Sequence, residues 1–427
     1  MGAKMKWVII ATIMIMISGM AYGAGGQEEG EAAEGQVIDI YWNPDHLYDA
    51  YNEVINEFAE ENNLTVNMQI FNWNDFRTKL NADFTAGTVP DLIEVPSQWI
   101  LEFAGMDGMV DLTEEIESWD QSNDWFESTW NEVTYEGRRH GLKLHHTAFG
   151  LFYNVDHFDQ AGIEPPETLA EFEAAINRID EVLGPDVKPF GFDPTGQYLI
   201  PFLATRETPS LIEDGEIAIG TPTVRETLRR LQAIARSGKV VVPDPGGEEA
   251  RTNVRQLFFA GEISMMISGP WEIGNIRSNF PDLNYSVAMI PSPEGVEGLT
   301  YVAGTGLGIP AGGDIEPDLV FELMKRLTSV EVEVAATLEA GMLMPRKTWA
   351  NDPRVQDDRA VQLFGPLLPK AVAFDIDVRK LGLPEITWGG PVFKRMYETM
   401  IYTDRDTDAA LDQYIQEANR LIESAQR

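Results

Sequence analysis

The residue in this sequence best placed to do chemistry is a tryptophan at the end of an apolar run. Ile263-Ser264-Met265-Met266-Ile267-Ser268 stops at Gly269-Pro270, and Trp271 follows at once. The pattern reads as a short strand, a tight turn and the mouth of a helix. An indole there is exposed at a strand end, where open α/β sheets hold their ligands. Flat C–H patches, such as those of a sugar ring, pack on an aromatic face, while hydroxyls of the same molecule need directed polar partners. The alternative for Trp271 is burial between helix and sheet. Binding, rather than bond breaking, is the chemistry expected of such a platform.

The elements that must position it are legible from periodicity. Residues 37–42 form a β-type run, and Asn43-Pro44-Asp45 opens a helix with Leu47, Tyr51, Val54, Ile55 and Phe58 on one face. Leu64, Val66, Met68 and Ile70 alternate with polar residues as in a half-buried strand. Asp75 can cap a helix carrying Phe76, Leu80 and Phe84 that ends at Gly87, and 91–95 is a further strand. Strand, helix, strand, helix, strand implies a largely parallel sheet. A second unit starts near His145, with a strand over 151–154 and a capping box, Thr168 with Glu171, ahead of Phe172, Ile176, Ile179 and Leu183. Further amphipathic helices carry Val224, Leu228, Leu231 and Ala235, and Leu411, Tyr414, Ile415, Ala418 and Ile422.

With 427 residues the chain suits two domains, and 44% apolar content is ample for packed cores. Lys4 and Lys6 precede an apolar run over 7–17 and the small-residue site Ala21-Tyr22-Gly23, the pattern of an export signal over 1–23. Residues 24–36, rich in Gly, Glu and Ala, read as a flexible acidic leader. The absence of cysteine excludes disulfides, thiolate chemistry and a lipidated cysteine at the signal junction. A net charge of −37 argues against nucleic acid and anionic membrane surfaces as partners. It also fits a saline habitat, where salt screens self-repulsion.

Several separated stretches resemble the bacterial extracellular solute-binding proteins of the sugar-binding type, the family of the maltose-binding protein. They are Ala86-Gly87-Thr88-Val89-Pro90-Asp91-Leu92; Gly150-Leu151-Phe152-Tyr153-Asn154 with Phe158, Gly162 and Pro166; Phe259-Ala260-Gly261 with Gly269-Pro270-Trp271; and Asp408-Ala409-Ala410-Leu411. They run in family order over nearly the whole chain beyond the leader. The resemblance implies an α/β, two-lobed periplasmic binding protein fold of type II, with interleaved lobes and a multi-segment hinge. One lobe would comprise 37–143 and 303–350, the other 144–302 and 351–427, with crossings near 143–147, 301–305 and 351. It further implies a sugar or oligosaccharide ligand, permease subunits of an ATP-driven importer as partners, a monomer and no enzymatic activity.

The same resemblance puts a ligand-stacking aromatic at Trp271 and polar contacts at Trp42, Asn43 and Asp45, although Asp45 could equally be a helix cap. Trp73 could stack on ligand or pack in the core. Gln98, with Ser97 and Trp99, falls on the loop that lines the cleft in relatives and offers both donor and acceptor. His145 and Thr147 lie on a crossing segment. No metal is read from the adjacent His145 and His146, because neighbours in an extended segment point to opposite faces. Lys143 stands where the family usually has proline, and pairing with the acidic surface is the reading favoured for it. Tyr198, next to Gln197, matches an aromatic contact of the second lobe. Gly304 and Thr305 fall on a small-residue hinge segment, and Gly304-Thr305-Gly306 lacks the spacing of a dinucleotide loop, so no cofactor is expected. Arg346 and Trp388 complete the set, Arg346 either gripping ligand through its planar fork or forming an ordinary salt bridge. Abundant tryptophan and few cations near the expected cleft favour a neutral carbohydrate over an acidic sugar, a polyol, a polyamine or a phosphorylated compound. A secreted glycoside hydrolase would need two carboxylates poised across the cleft, and no ordered motif selects such a pair.

Overall fold

A computed structural model describes residues 36–245 and 248–426. The export signal and nearly all of the acidic leader lie outside these residues. Gln36, counted with the leader above, is the first residue of the first strand, Gln36–Trp42.

That strand lies parallel to Leu64–Ile70 and to Leu92–Pro96, with Ile38 opposite Val66 and Ile40 opposite Leu92. The parallel part of the sheet is as the alternating pattern implies. Its other half is not. Thr305–Gly308 returns from late in the chain and runs antiparallel between Leu92–Pro96 and Gly141–Lys143. The return strand carries Gly306 and Gly308 because its neighbours close in: a Cβ on Gly308 would stand 2.5 Å from the Met109 side chain.

The helix after the second strand, Trp73–Ala86, starts earlier than the Asp75 cap predicts. Asn72 is the cap, accepting from the Asp75 backbone N–H at 3.1 Å, and Asp75 sits in the first turn. This start brings Trp73 and Arg77 onto one helix face, a turn apart. Gly87 ends the helix in the left-handed region at φ 70°. The predicted capping box of Thr168 and Glu171 is formed, at the start of Leu169–Leu183.

A second, antiparallel sheet sets Gly150–Asn154 between Met265–Ser268 and Tyr285–Ala288. A third, short sheet links the two: Thr300–Ala303 pairs antiparallel with Thr147–Ala148 and parallel with Ala371–Val372. Two buried clusters pack around these sheets, one built on Trp42, Tyr51 and Phe58, the other on Phe149, Phe172 and Tyr414. Trp271 packs against both. From Gln36 onward the chain forms one compact unit. Among the described residues no helix is long and apolar enough to cross a membrane.

Candidate functional site

A cavity of about 970 Å³ opens at the strand ends around Pro96, Ala303 and Thr305. One wall comes from the turn after Gln36–Trp42 and the helices Trp73–Ala86 and Ser97–Ala104, the other from residues 194–198, the helix Trp271–Asn279 and the segment around Trp388. Gly304 and Thr305 lie on the floor. Gly304 has φ 117°, and a Cβ there would meet the His145 carbonyl oxygen at 2.0 Å, so the two crossing segments touch only because it is glycine.

Aromatic surface dominates the first wall. Trp73 stacks on Phe76 at 6.0 Å and meets the edge of Trp99 at 6.0 Å, and the Arg77 guanidinium lies 4.9 Å over the Trp99 ring. Trp73 therefore packs on its neighbours and lines the cavity at once. On the second wall Trp271 meets Phe149 edge-on at 5.4 Å, and among the described residues its indole nitrogen has no hydrogen-bond partner. Trp388 donates to the Tyr301 hydroxyl at 3.2 Å, and Tyr301 donates to Asp375 at 2.8 Å. Burial and the Asp375 charge push the Tyr301 phenol well above its ordinary pKa, so it stays a donor.

The charged groups correct the expectation of a cation-poor cleft. Among the described residues, Arg77, Arg255, Arg379 and Lys394 all line the cavity. Each is matched by a carboxylate. Glu102 takes Arg77 at 2.5 Å and also pairs with Arg379, which holds Asp375 at 2.7 Å. Glu272 takes Arg255 at 2.9 Å and accepts from Ser268 Oγ at 2.6 Å, and Lys394 lies 3.7 Å from Glu398. Burial works against the charge on Arg379, and the Asp375 and Glu102 carboxylates overcome it, so its pKa stands above the ordinary arginine value. The lining cations are thus held by carboxylates, while Asp45, Glu339 and Glu385 line the cavity outside those pairs. These arginines were missed because their meeting at the cavity joins separate segments; Glu102, which pairs with both Arg77 and Arg379, is 277 residues from the latter.

The cavity also collects Asp45, Gln98 and Tyr198. Asp45 is not the cap of its turn: Asn43 is, accepting from the Asp45 N–H at 3.0 Å. Five of the sequence-derived candidates lie elsewhere. Trp42 is fully buried, donates to the His46 carbonyl at 3.0 Å and packs on Tyr51. Asn43 is consumed by its cap and by the Phe71 carbonyl, and faces only a smaller cavity of about 270 Å³. Thr147 is buried in the crossing strand. His145 is sealed beneath the wall, between the Thr305 hydroxyl at 2.8 Å and the Tyr51 hydroxyl at 3.0 Å. Arg346 is buried 4.1 Å over the Trp125 ring and donates to the Thr328 carbonyl at 2.7 Å, so it serves the core. Lys143 does find a carboxylate, Glu132 at 2.5 Å, but in the interior rather than at the surface.

The two adjacent histidines part company. His146 turns to Phe126 and lies 3.9 Å from Glu132, while His145 meets the ring of His46 at 5.1 Å. His46, missed in the sequence, lines the cavity and contacts the buried Glu94 at 2.9 Å. Burial, then the nearby His46 and Lys143, hold His145 well below the ordinary histidine pKa.

A family model described as "bacterial extracellular solute-binding protein" matches residues 44–334. The chain belongs to that family. A binding protein of Brucella abortus is 29% identical over 259 residues, 59% of this chain and 62% of that protein. The chain thus matches somewhat less than two thirds of the length of that relative. The arabinooligosaccharide-binding protein of Bacillus subtilis is 22% identical over 70% of this chain and 71% of its own. Among solved structures, the GacH receptor of Streptomyces glaucescens, studied unliganded and with acarbose, shares the fold with a TM-score of 0.79 at 19% identity, over 91% of this chain and 99% of that one. The two-lobed architecture of the solute-binding proteins, with mixed α/β content, is therefore the fold of this chain.

Proposed function

We propose that this chain is the receptor of an ATP-driven importer and binds a neutral sugar or short oligosaccharide in the cavity at the strand ends. The observation that carries the reading is the combination of Trp73, Trp99, Trp271 and Trp388 on the two walls of a cavity whose lining cations, among the described residues, are each paired with a carboxylate. Indole faces suit the C–H side of sugar rings, and paired guanidiniums still offer spare N–H donors to hydroxyls without demanding an anion. The ligands named for the Bacillus subtilis and Streptomyces glaucescens relatives, an arabinooligosaccharide and acarbose, point to the same chemical class.

In this reading the ligand-binding residues are Trp271, Trp73, Trp99, Gln98, Asp45, Tyr198, Trp388 and the Gly304-Thr305 floor. The lobes we infer are 37–143 with 303–350 and 144–302 with 351–427, supported by strands from early and late in the chain sharing one sheet. Ligand touching both lobes gains contacts only in the closed form, and that differential affinity shifts the open–closed population. A micromolar complex corresponds to about 8 kcal/mol, within reach of a few stacked rings and several hydrogen bonds after ordering costs. The permease then reads the closed shape, from the side to which the export signal delivers a monomeric receptor. Catalysis is not part of this reading, since Glu102 and Glu272, the most enclosed carboxylates of the wall, are held by guanidiniums.

The test is a thermal-shift screen against neutral sugars, oligosaccharides, sugar acids, polyols and polyamines, with calorimetry on each hit. Saturable stabilisation by neutral saccharides without turnover is the expected outcome. Selective binding of a sugar acid or polyamine would overturn the ligand class, and release of a hydrolysed product would overturn the receptor reading.

A further inference from the structure

Glu94 differs from the other enclosed carboxylates near the cavity. Glu102, Glu132, Glu272 and Asp375 each face an arginine or lysine. Glu94 is fully buried on the strand Leu92–Pro96, and among the described residues it faces no arginine or lysine, only the His46 imidazole. A second histidine stands beside them: one ligand atom from each of His46, Glu94 and His145 lies within 4.8 Å of the other two.

We propose that His46, Glu94 and His145 form a site for a borderline divalent cation such as Zn²⁺, Co²⁺ or Ni²⁺ at the inner wall of the cavity. Two imidazoles and one carboxylate are a donor set that such ions favour, and they leave a coordination position for water or another oxygen. The ligands come from three different places: the turn after the first strand, the third strand, and the segment crossing between sheets. An ion would tie them together.

The surroundings are those of a supported site. Both nitrogens of His145 have a hydroxyl neighbour, Thr305 Oγ1 at 2.8 Å and Tyr51 at 3.0 Å, so whichever nitrogen ligates, the other keeps an orienting partner. The second Glu94 oxygen accepts from the Asn43 N–H at 3.4 Å. His46 lines the cavity, which gives the ion a route in and an open side. The competing account is a plain hydrogen-bonded cluster, in which the His46–Glu94 contact at 2.9 Å is complete without an ion.

The experiment uses the protein purified without a histidine tag and stripped with chelator. Co²⁺ is followed by its visible absorption and Zn²⁺ by calorimetry, with thermal melting as a second readout. One ion per chain is expected, with binding weakened at least about tenfold in His46→Gln and in Glu94→Gln. His157→Gln, which alters a histidine outside the cluster that contacts Ser264, should bind as the parent does. His46 is at the cavity wall, so His46→Gln decides the matter even if Glu94→Gln fails to fold. No saturable binding by the parent, or undiminished binding by His46→Gln, overturns the proposal. The latter result would assign the ions to the acidic surface.

Discussion

Trp42 and Trp271 both stand at the C-terminal end of an apolar strand-forming run, yet one is core and the other is cavity wall. Trp42 is the last residue of its strand and still belongs to the sheet, so its side chain is committed to a face already covered by Tyr51. Trp271 comes three residues after its strand ends at Ser268, beyond Gly269-Pro270, and opens a helix. A strand residue inherits the side of the sheet that its register dictates. A residue past the turn is free of that register and can face the ligand. The distance from the last paired residue, rather than residue type, separates a tryptophan in the core from one on the cavity wall.

The strongest way to break this comparison is to truncate both. Trp42→Ala removes a fully enclosed indole and should destabilise the fold by about 3–5 kcal/mol in urea unfolding. Trp271→Ala should cost clearly less stability and should instead weaken saccharide binding by about 1.5–3 kcal/mol, roughly 10- to 150-fold in Kd. Calorimetry on the folded variants gives both numbers. Equal stability losses in the two variants would mean that the position past the turn confers no freedom.

The segment that crosses between the two regions adds a pH signature of its own. Burial, then the Lys143 charge, lowers His146 to about 3 from an ordinary 6.5. Between those values the unfolded chain holds a proton that the folded chain lacks. Stability is therefore full above pH 6.5 and falls on acidification, with a slope near 1.4 kcal/mol per pH unit for this one group. His145 acts in the same direction. Urea unfolding at pH 7, 6 and 5 should show the decline, and His146→Gln should flatten it. An unchanged slope in that variant would locate the acid sensitivity elsewhere.

How much of this could be read in the sequence follows the same division. Trp271, Gln98 and Trp99 were legible because strand, turn and helix are local patterns, and the turn announces itself with Gly-Pro or Pro-Ser. Trp42 was placed in the site by the resemblance, although the run over 37–42 already made it a strand residue, and the local pattern does not show that Tyr51 covers the face it occupies. Asn72 and Asp75 are both good caps three residues apart, and only the packing of Trp73 chooses between them. The antiparallel return of Thr305–Gly308 and the pairing of Glu102 with Arg379 depend on segments hundreds of residues apart. No local pattern encodes such meetings. Arg346 shows the converse: a loop arginine resembles a ligand grip until two tryptophans close over it.

Asn43 offers the mildest and sharpest probe of the two turns. Its side-chain oxygen caps the turn after Trp42, and its amide nitrogen donates to the Phe71 carbonyl at 3.1 Å, whereas Pro270 before Trp271 has no side-chain cap. The first turn is thus held rigid by a polar side chain, and the second by proline and by aromatic packing. Asn43→Ala should cost about 1 kcal/mol of stability, as cap removals do. Because Asp45 and His46 reach the cavity from this turn, loosening it should also weaken saccharide binding, by less than Trp271→Ala does. A variant that loses the stability and keeps full affinity would show that Asp45 and His46 take no part in holding the ligand, and the binding surface would then shift toward the Trp271 wall.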